Sequence, residues 1–471
     1  MFIGRREQLR LLEDRYRSRT SEFCVLYGRR RIGKSTLLEE FAGDKPSFFY
    51  LAGRESKRQA LRRFARELGE VLGDPLTGKV ALSEWNEALT LLDRSIPGLL
   101  KDRNGGKAVV VFDEFQWMCR GAPELLSDLQ RFWDRGWKDT GKVFLVVCGS
   151  AIRFMLGEVL SRKSPLFGRR TFSFELGPFK APEVRAFLPD RSIFETAEAY
   201  MAVGGVPKYL EILSSRDSFQ RIMRREAFSA SGYLFDEIRF VLSEQLKETE
   251  HYFLLLEQMA HGAREVAQLE RATGIASGQI MYYLERLQLL GFVSRHTPLG
   301  EGTRTKKVRY RLDDYYLRFY FTFIHPNRER ISSSQPGIPF DRIAGSRWES
   351  YMGISFEHLV RDHADTVAAV LGHEGEIRQV GSFWQLPTKR RRGIQIDLLI
   401  ECHDRTTLLC ECKWSRGKVG KEVLAELRKR AQGYPNVKGD TIRPVLVAAG
   451  GVTDAVRQDR DISILTLKDF F

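Results

Sequence analysis

The sequence predicts a multidomain α/β protein organised around a parallel-sheet, phosphate-binding core. Three observations carry that expectation. The run Gly28-Arg29-Arg30-Arg31-Ile32-Gly33-Lys34-Ser35 satisfies the G-x-x-x-x-G-K-[ST] pattern at every fixed position. Two later apolar runs, Ala108-Val109-Val110-Val111-Phe112 and Val143-Phe144-Leu145-Val146-Val147-Cys148, read as buried parallel strands that end in polar residues. At 471 residues the chain is too long for a single core, and its length suggests about three domains.

Around the loop, Phe23-Cys24-Val25-Leu26-Tyr27 reads as the entering strand and Thr36-Leu37-Leu38-Glu39-Glu40-Phe41 as the departing helix. Gly28 and Gly33 let backbone N–H groups converge on phosphate oxygens, with Arg31, Ile32 and Thr36 completing the cradle at the helix N-terminus. Lys34 is expected to bridge the β- and γ-phosphates of ATP, and the Ser35 hydroxyl to ligate Mg²⁺. The second apolar run ends in Asp113-Glu114. Asp113 would hold Mg²⁺ through water, and Glu114 would orient and deprotonate the attacking water. The third ends in Gly149-Ser150, which makes Ser150 a sensor of the γ-phosphate. The turn Ser164-Pro165-Leu166-Phe167-Gly168-Arg169 presents Arg169, whose guanidinium suits transition-state charge in its own subunit or a neighbouring one.

From His251 to Leu312 the pattern is three helices and a hairpin, as in a winged helix. Ser277 is a plausible N-cap, Ile280, Leu284 and Leu287 form a buried face, and Gln279, Tyr282 and Arg286 point outward. In the last strand Lys307, Arg309 and Arg311 alternate with Val308, Tyr310 and Leu312, which places three cations on one side, suited to a DNA backbone. Protein docking is the rival use of such a module. The aromatic segment from Tyr315 to Phe323 reads as a core helix, and His325 to Pro339, rich in Pro, Gly and Ser, as a linker.

Near the C-terminus, Gln395-Ile396-Asp397-Leu398-Leu399-Ile400 and Leu408-Leu409-Cys410-Glu411-Cys412-Lys413 read as paired strands joined at His403-Asp404-Arg405. The period of two puts Glu411 and Lys413 on one face, and pairing brings Asp397 across from them. Two carboxylates and an ammonium on one face suit metal-dependent phosphodiester cleavage: Asp397 and Glu411 as Mg²⁺ ligands, Lys413 positioning the nucleophile. A structural salt bridge is the plainer alternative.

A net charge of +14 favours a polyanionic partner, and basic residues cluster at Lys306 to Arg311 and at Lys389 to Arg392. No apolar run approaches the length of a membrane span, and the charged start lacks the apolar core of a signal peptide. The six cysteines lack zinc-type spacing and read as buried thiols, so a cytoplasmic setting is expected.

The N-terminal half resembles prokaryotic AAA-type ATPases related to the signal-transduction ATPases with numerous domains (STAND). The resemblance rests on Phe2-Ile3-Gly4-Arg5, the Gly28 to Ser35 loop, Phe112-Asp113-Glu114, Cys148-Gly149-Ser150, the Ser164 to Arg169 turn and Gly204-Gly205-Val206-Pro207. It implies a start segment near the adenine and a helical lid, making Phe2 to Arg5 and Pro207 peripheral nucleotide-site residues. The last quarter resembles the PD-(D/E)XK nuclease superfamily, with its α/β fold of the restriction-endonuclease type, and Glu357 in Ser355-Phe356-Glu357-His358-Leu359 matches the acid of that family's first helix. Together they imply an ATPase core over 1–178, a helical lid over 179–246, a winged helix over 247–324, a linker over 325–345 and a nuclease-like domain over 346–471. The implied activity is an ATP-hydrolysing DNA-binding protein with a Mg²⁺-dependent nuclease, in defence or mobile-element biology. The alternative is a nucleotide-dependent switch or scaffold whose nuclease-like domain binds DNA or protein without cutting. A homo-oligomer and a separate partner protein both fit either reading.

Overall fold

A computed structural model describes residues 2–101, 106–246, 248–300, 305, 307–333, 338–385 and 393–471. The chain divides into two compact units, residues 1–178 and 179–471.

The first unit holds five strands: β1 (Glu22–Tyr27), β2 (Ser47–Leu51), β3 (Ala108–Asp113), β4 (Val143–Gly149) and β5 (Phe172–Glu175). They form one parallel sheet in the order β2-β3-β4-β1-β5. Strands β1, β3 and β4 are the apolar runs read from the sequence, and β3 and β4 are buried along their whole length. A strand covered on both faces by crossover helices has no solvent face to be polar on. One such layer is aromatic: the Phe64 ring meets Phe48, Tyr50 and Trp85 edge-on at 5.0, 5.2 and 5.8 Å. Because every strand runs the same way, the carboxyl ends of β1, β3 and β4 share one edge of the sheet, where ligands bind in open α/β folds.

In the second unit, helices Thr249–Ala260, Val266–Thr273 and Ser277–Leu289 precede an antiparallel pair, β6 (Val293–His296) and β7 (Arg309–Leu312). The C-terminal sheet contains β8 (Ile377–Gln385), β9 (Ile394–Cys402), β10 (Thr406–Lys413), β11 (Thr441–Ala448) and β12 (Ser463–Leu465). Its order is β12-β11-β10-β9-β8. Strands β8, β9 and β10 form an antiparallel meander, whereas β10, β11 and β12 are parallel. The β10–β11 connection carries the helix Glu422–Gly433, whose Leu424 and Leu427 pack with Leu399, Leu409 and Leu446. The long helix Gly345–Asp362 also packs on the sheet, with Phe356 5.6 Å from Trp414.

Several local expectations change. Helix Ser277–Leu289 has Ala276, not Ser277, at its N-cap; the Ser277 N–H instead donates to the Glu270 carboxylate at 3.2 Å. The expected linker is helical at His325–Asn327, Arg328–Ser333 and Ile338–Ile343, because Ile331, Phe340 and Ile343 are buried, Phe340 lying 5.2 Å from Phe228. Residues 334–337 of that segment lie outside the described residues. The aromatic segment is core: from Tyr315 to Phe321 every residue is buried.

The largest change concerns the basic strand. Arg311 is only 8% exposed and pairs with Asp313 at 2.6 Å. The Arg309 guanidinium lies 3.6 Å from Glu265 and 4.6 Å from the centre of the Trp384 ring on β8. The expected open row of Lys307, Arg309 and Arg311 is therefore not a free phosphate-gripping face. In the loop after β6, the Leu299 N–H donates to the Ser382 carbonyl on β8 at 2.9 Å. Lys306 and the Lys389 to Arg392 cluster lie outside the described residues. Among the described residues, no helix is long and apolar enough to cross a membrane.

Candidate functional site

The loop after β1 is shaped by close approach. A Cβ at Gly28 would lie 2.3 Å from the Leu176 carbonyl oxygen, so only glycine fits there. Arg31 (φ 68°) and Gly33 (φ 88°) take left-handed conformations, turning the chain into the helix Lys34–Ala42. Arg5 locks the loop from outside, donating to the Ile32 carbonyl at 3.0 Å and to the Gly177 carbonyl at 2.7 Å. The start segment is thus tied to the loop. Lys34 is buried and donates to the Arg29 carbonyl at 3.0 Å; Thr36 is exposed on the first turn.

At the end of β3, Asp113 is fully buried and accepts from the Ser35 hydroxyl and, at 2.8 Å, from the Glu114 N–H. A hydroxyl and a buried carboxylate in contact form an all-oxygen donor pair, and it fits a hard divalent cation. Glu114 takes φ 52°, a left-handed conformation that costs a non-glycine residue energy and turns its carboxylate toward β4. There Ser150 donates to Glu114 at 2.6 Å, and the Gln116 side-chain amide donates to the same carboxylate oxygen.

Arg169 stands elsewhere. Thr171, two residues on, bonds to Phe23 at the start of β1, whereas the loop follows the end of that strand. A six-residue strand spans about 20 Å, which puts Arg169 at the opposite edge of the sheet from the phosphate loop. Its guanidinium pairs with Asp134 at 3.1 Å and donates to the Phe167 carbonyl at 2.9 Å. The geometry does not bring Arg169 to its own subunit's phosphate site. Pro207 opens the helix Pro207–Leu213 of the second unit.

A second constellation forms on the C-terminal sheet. The β9–β10 register pairs Leu398 with Cys410, and its next step sets Asp397 opposite Glu411. Lys413 lies 2.8 Å from Glu411. Glu357 reaches the same place from helix Gly345–Asp362. Burial, then repulsion from Asp397 and Glu411, pushes its carboxyl up to about 7 despite the opposing pull of Lys413 and Arg430. Arg430, on helix Glu422–Gly433, bonds Glu411 at 2.5 Å and approaches Asp397 to 3.9 Å. Gln395 donates to Asp397 at 2.9 Å, and the Arg361 guanidinium donates to the Asp397 carbonyl. Three carboxylates brought together in this way form an all-oxygen donor set that fits a divalent cation.

Residues 2–213 match the family described as an ATPase domain predominantly from Archaea, and residues 320–426 match one described as archaeal and bacterial proteins of unknown function. An uncharacterised protein of Methanocaldococcus jannaschii is 28% identical over 435 residues, 92% of each chain. An uncharacterised ATP-binding protein of the same organism is 40% identical over 45 residues, 10% of this chain and 76% of its own. Among solved structures, a Walker-type ATPase of Pyrococcus abyssi aligns over 68% of this chain and 96% of its own, at 20% identity and TM-score 0.49. A STAND protein with a tetratricopeptide-repeat sensor from Pyrococcus horikoshii aligns over 79% of this chain and 49% of its own, at 16% identity and TM-score 0.30.

Within the ATPase domain the structure gathers Gly28, Arg31, Ile32, Gly33, Lys34, Ser35, Asp113, Glu114 and Ser150 at one edge of the sheet. Sequence reasoning missed Gln116, although its place two residues after Glu114 was a usable signal. It also missed Arg430, for which the sequence carries no local signal, because the helix reaches the carboxylates only through the fold.

Proposed function

We propose that the chain binds and hydrolyses ATP with Mg²⁺ and acts on DNA, which its C-terminal domain cuts in a metal-dependent reaction. In the ATPase domain, Lys34 and the loop amides hold the phosphates, Ser35 and Asp113 hold the cation, and Glu114 takes the proton of the attacking water. Ser150 reads the γ-phosphate, and Pro207 belongs to a nucleotide-sensing lid. The position of Arg169 supports action on a neighbouring copy in a homo-oligomer. All six cysteines are unpaired and buried, which supports a reducing, cytoplasmic setting.

The observation that carries the nuclease reading is the convergence of Glu357, Asp397, Glu411 and Lys413, with Glu357 pushed up to about 7. The order of one helix, a three-stranded meander, a helix and a parallel strand agrees with the PD-(D/E)XK resemblance. Asp397 and Glu411 would hold Mg²⁺, which when bound lowers the pKa of a bound water. Lys413 orients the nucleophile, and Glu357 carries a proton near neutral pH. A net charge of +14 supports a nucleic-acid substrate.

Arg430 favours a second reading. A guanidinium already bonded to Glu411 neutralises part of the carboxylate cluster, as suits a domain that binds DNA or protein without cutting. Incubating supercoiled, linear and single-stranded DNA with the protein and Mg²⁺ or Mn²⁺, with and without ATP, separates the two. Cleavage abolished in Asp397→Ala supports the nuclease. ATP turnover without cleavage, in the wild type and in Arg430→Ala alike, supports the switch or scaffold.

A further inference from the structure

Beside the ATPase carboxylate, Gln116 is placed as no structural glutamine needs to be. Its amide nitrogen donates to Glu114 and, at 3.3 Å, to the Ser150 hydroxyl, which itself donates to Glu114 at 2.6 Å. The orientation of the amide is therefore fixed, since a carboxylate only accepts and this hydroxyl has spent its proton. Its carbonyl oxygen Oε1 is buried and has no hydrogen-bond partner among the described residues. A buried acceptor left unmatched is a rare and costly state in a folded chain. Room for it exists because residue 149 is glycine: a Cβ there would lie 2.7 Å from Oε1.

We propose that Gln116 is a positioning residue for hydrolysis, holding Glu114 with Ser150 in the nucleotide-free chain and accepting from the attacking water when ATP is bound. The proposal rests on the ATPase reading and deepens it. When the γ-phosphate engages Ser150, the three-way knot opens. Glu114 is released toward the water, and the turned amide offers Oε1 to one of the water's two protons. Glu114 takes the other proton as the water oxygen bonds to the γ-phosphorus. The bond to the β–γ bridging oxygen breaks, leaving ADP, phosphate and one proton.

Steady-state ATP turnover and binding of a fluorescent ATP analogue, both with Mg²⁺ in the full chain, test this. Wild-type turnover that Lys34→Ala abolishes establishes the ATPase reading, and Gln116 variants are judged only against that rate. In Gln116→Leu, kcat falls about 10²-fold while KM and analogue affinity stay within about twofold. In Gln116→Glu, a second carboxylate against Glu114 moves the acidic limb of the kcat profile to higher pH by about one unit. A Gln116→Leu rate within twofold of wild type with an unchanged pH profile overturns the proposal. So does a parallel loss of analogue binding, which marks Gln116 as structural. Absence of wild-type turnover overturns the ATPase reading itself, and this inference with it.

Discussion

The nucleotide site is decided by a few atoms. Gly28 leaves no room for a methyl group against the Leu176 carbonyl, so Gly28→Ala is expected to abolish ATP-analogue binding while leaving the far-UV spectrum unchanged. Glu114→Gln removes the proton acceptor but keeps the shape. We expect ATP affinity within about twofold and turnover reduced about 10²–10⁴-fold. Glu357 makes a prediction of opposite character. Its folded pKa of about 7 exceeds the ordinary carboxyl value of 4.5, so between those values the folded state holds more protons than the unfolded one. Its contribution is fully present below pH 4.5 and is lost as pH rises through 7, a loss of roughly 3 kcal/mol. Urea midpoints measured from pH 4.5 to 8 should fall less steeply in Glu357→Gln than in wild type.

At the scale of elements, the order of strand, loop and helix was legible because phosphate binding fixes residue types at fixed spacing, and that spacing is local. The neighbourhood of Asp397 and Glu411, both approached by Arg430, was expected for a similar reason, since a hairpin and a period of two determine which residues share a face. The basic strand was expected to present an open row of cations, and Arg311 is buried instead. Alternation tells which side chains share a face and nothing of what covers it, and here Trp384 and the burial of Arg311 decide. The linker failed in the same way: Pro, Gly and Ser suggested a solvated segment, yet Phe340 packs against Phe228. Arg311→Ala should therefore cost stability, about 1–3 kcal/mol, because the half-buried Asp313 loses its partner. It should leave the salt dependence of DNA binding unchanged. A reduced salt slope with an unchanged urea midpoint would restore the wing as a phosphate-gripping face.

The whole molecule joins an ATPase domain to a carboxylate-bearing sheet in another unit of the same chain, and the two activities proposed for them need not fail together. Lys34→Ala should remove nucleotide turnover without unfolding the C-terminal centre, and Asp397→Ala should remove cleavage while sparing ATP binding. The most direct test of the central claim is the rate of Mg²⁺-dependent ATP turnover by the full chain, titrated with DNA and compared with Lys34→Ala. The account predicts wild-type turnover well above the Lys34→Ala background and raised by DNA. A wild-type rate indistinguishable from Lys34→Ala, with or without DNA, would contradict it.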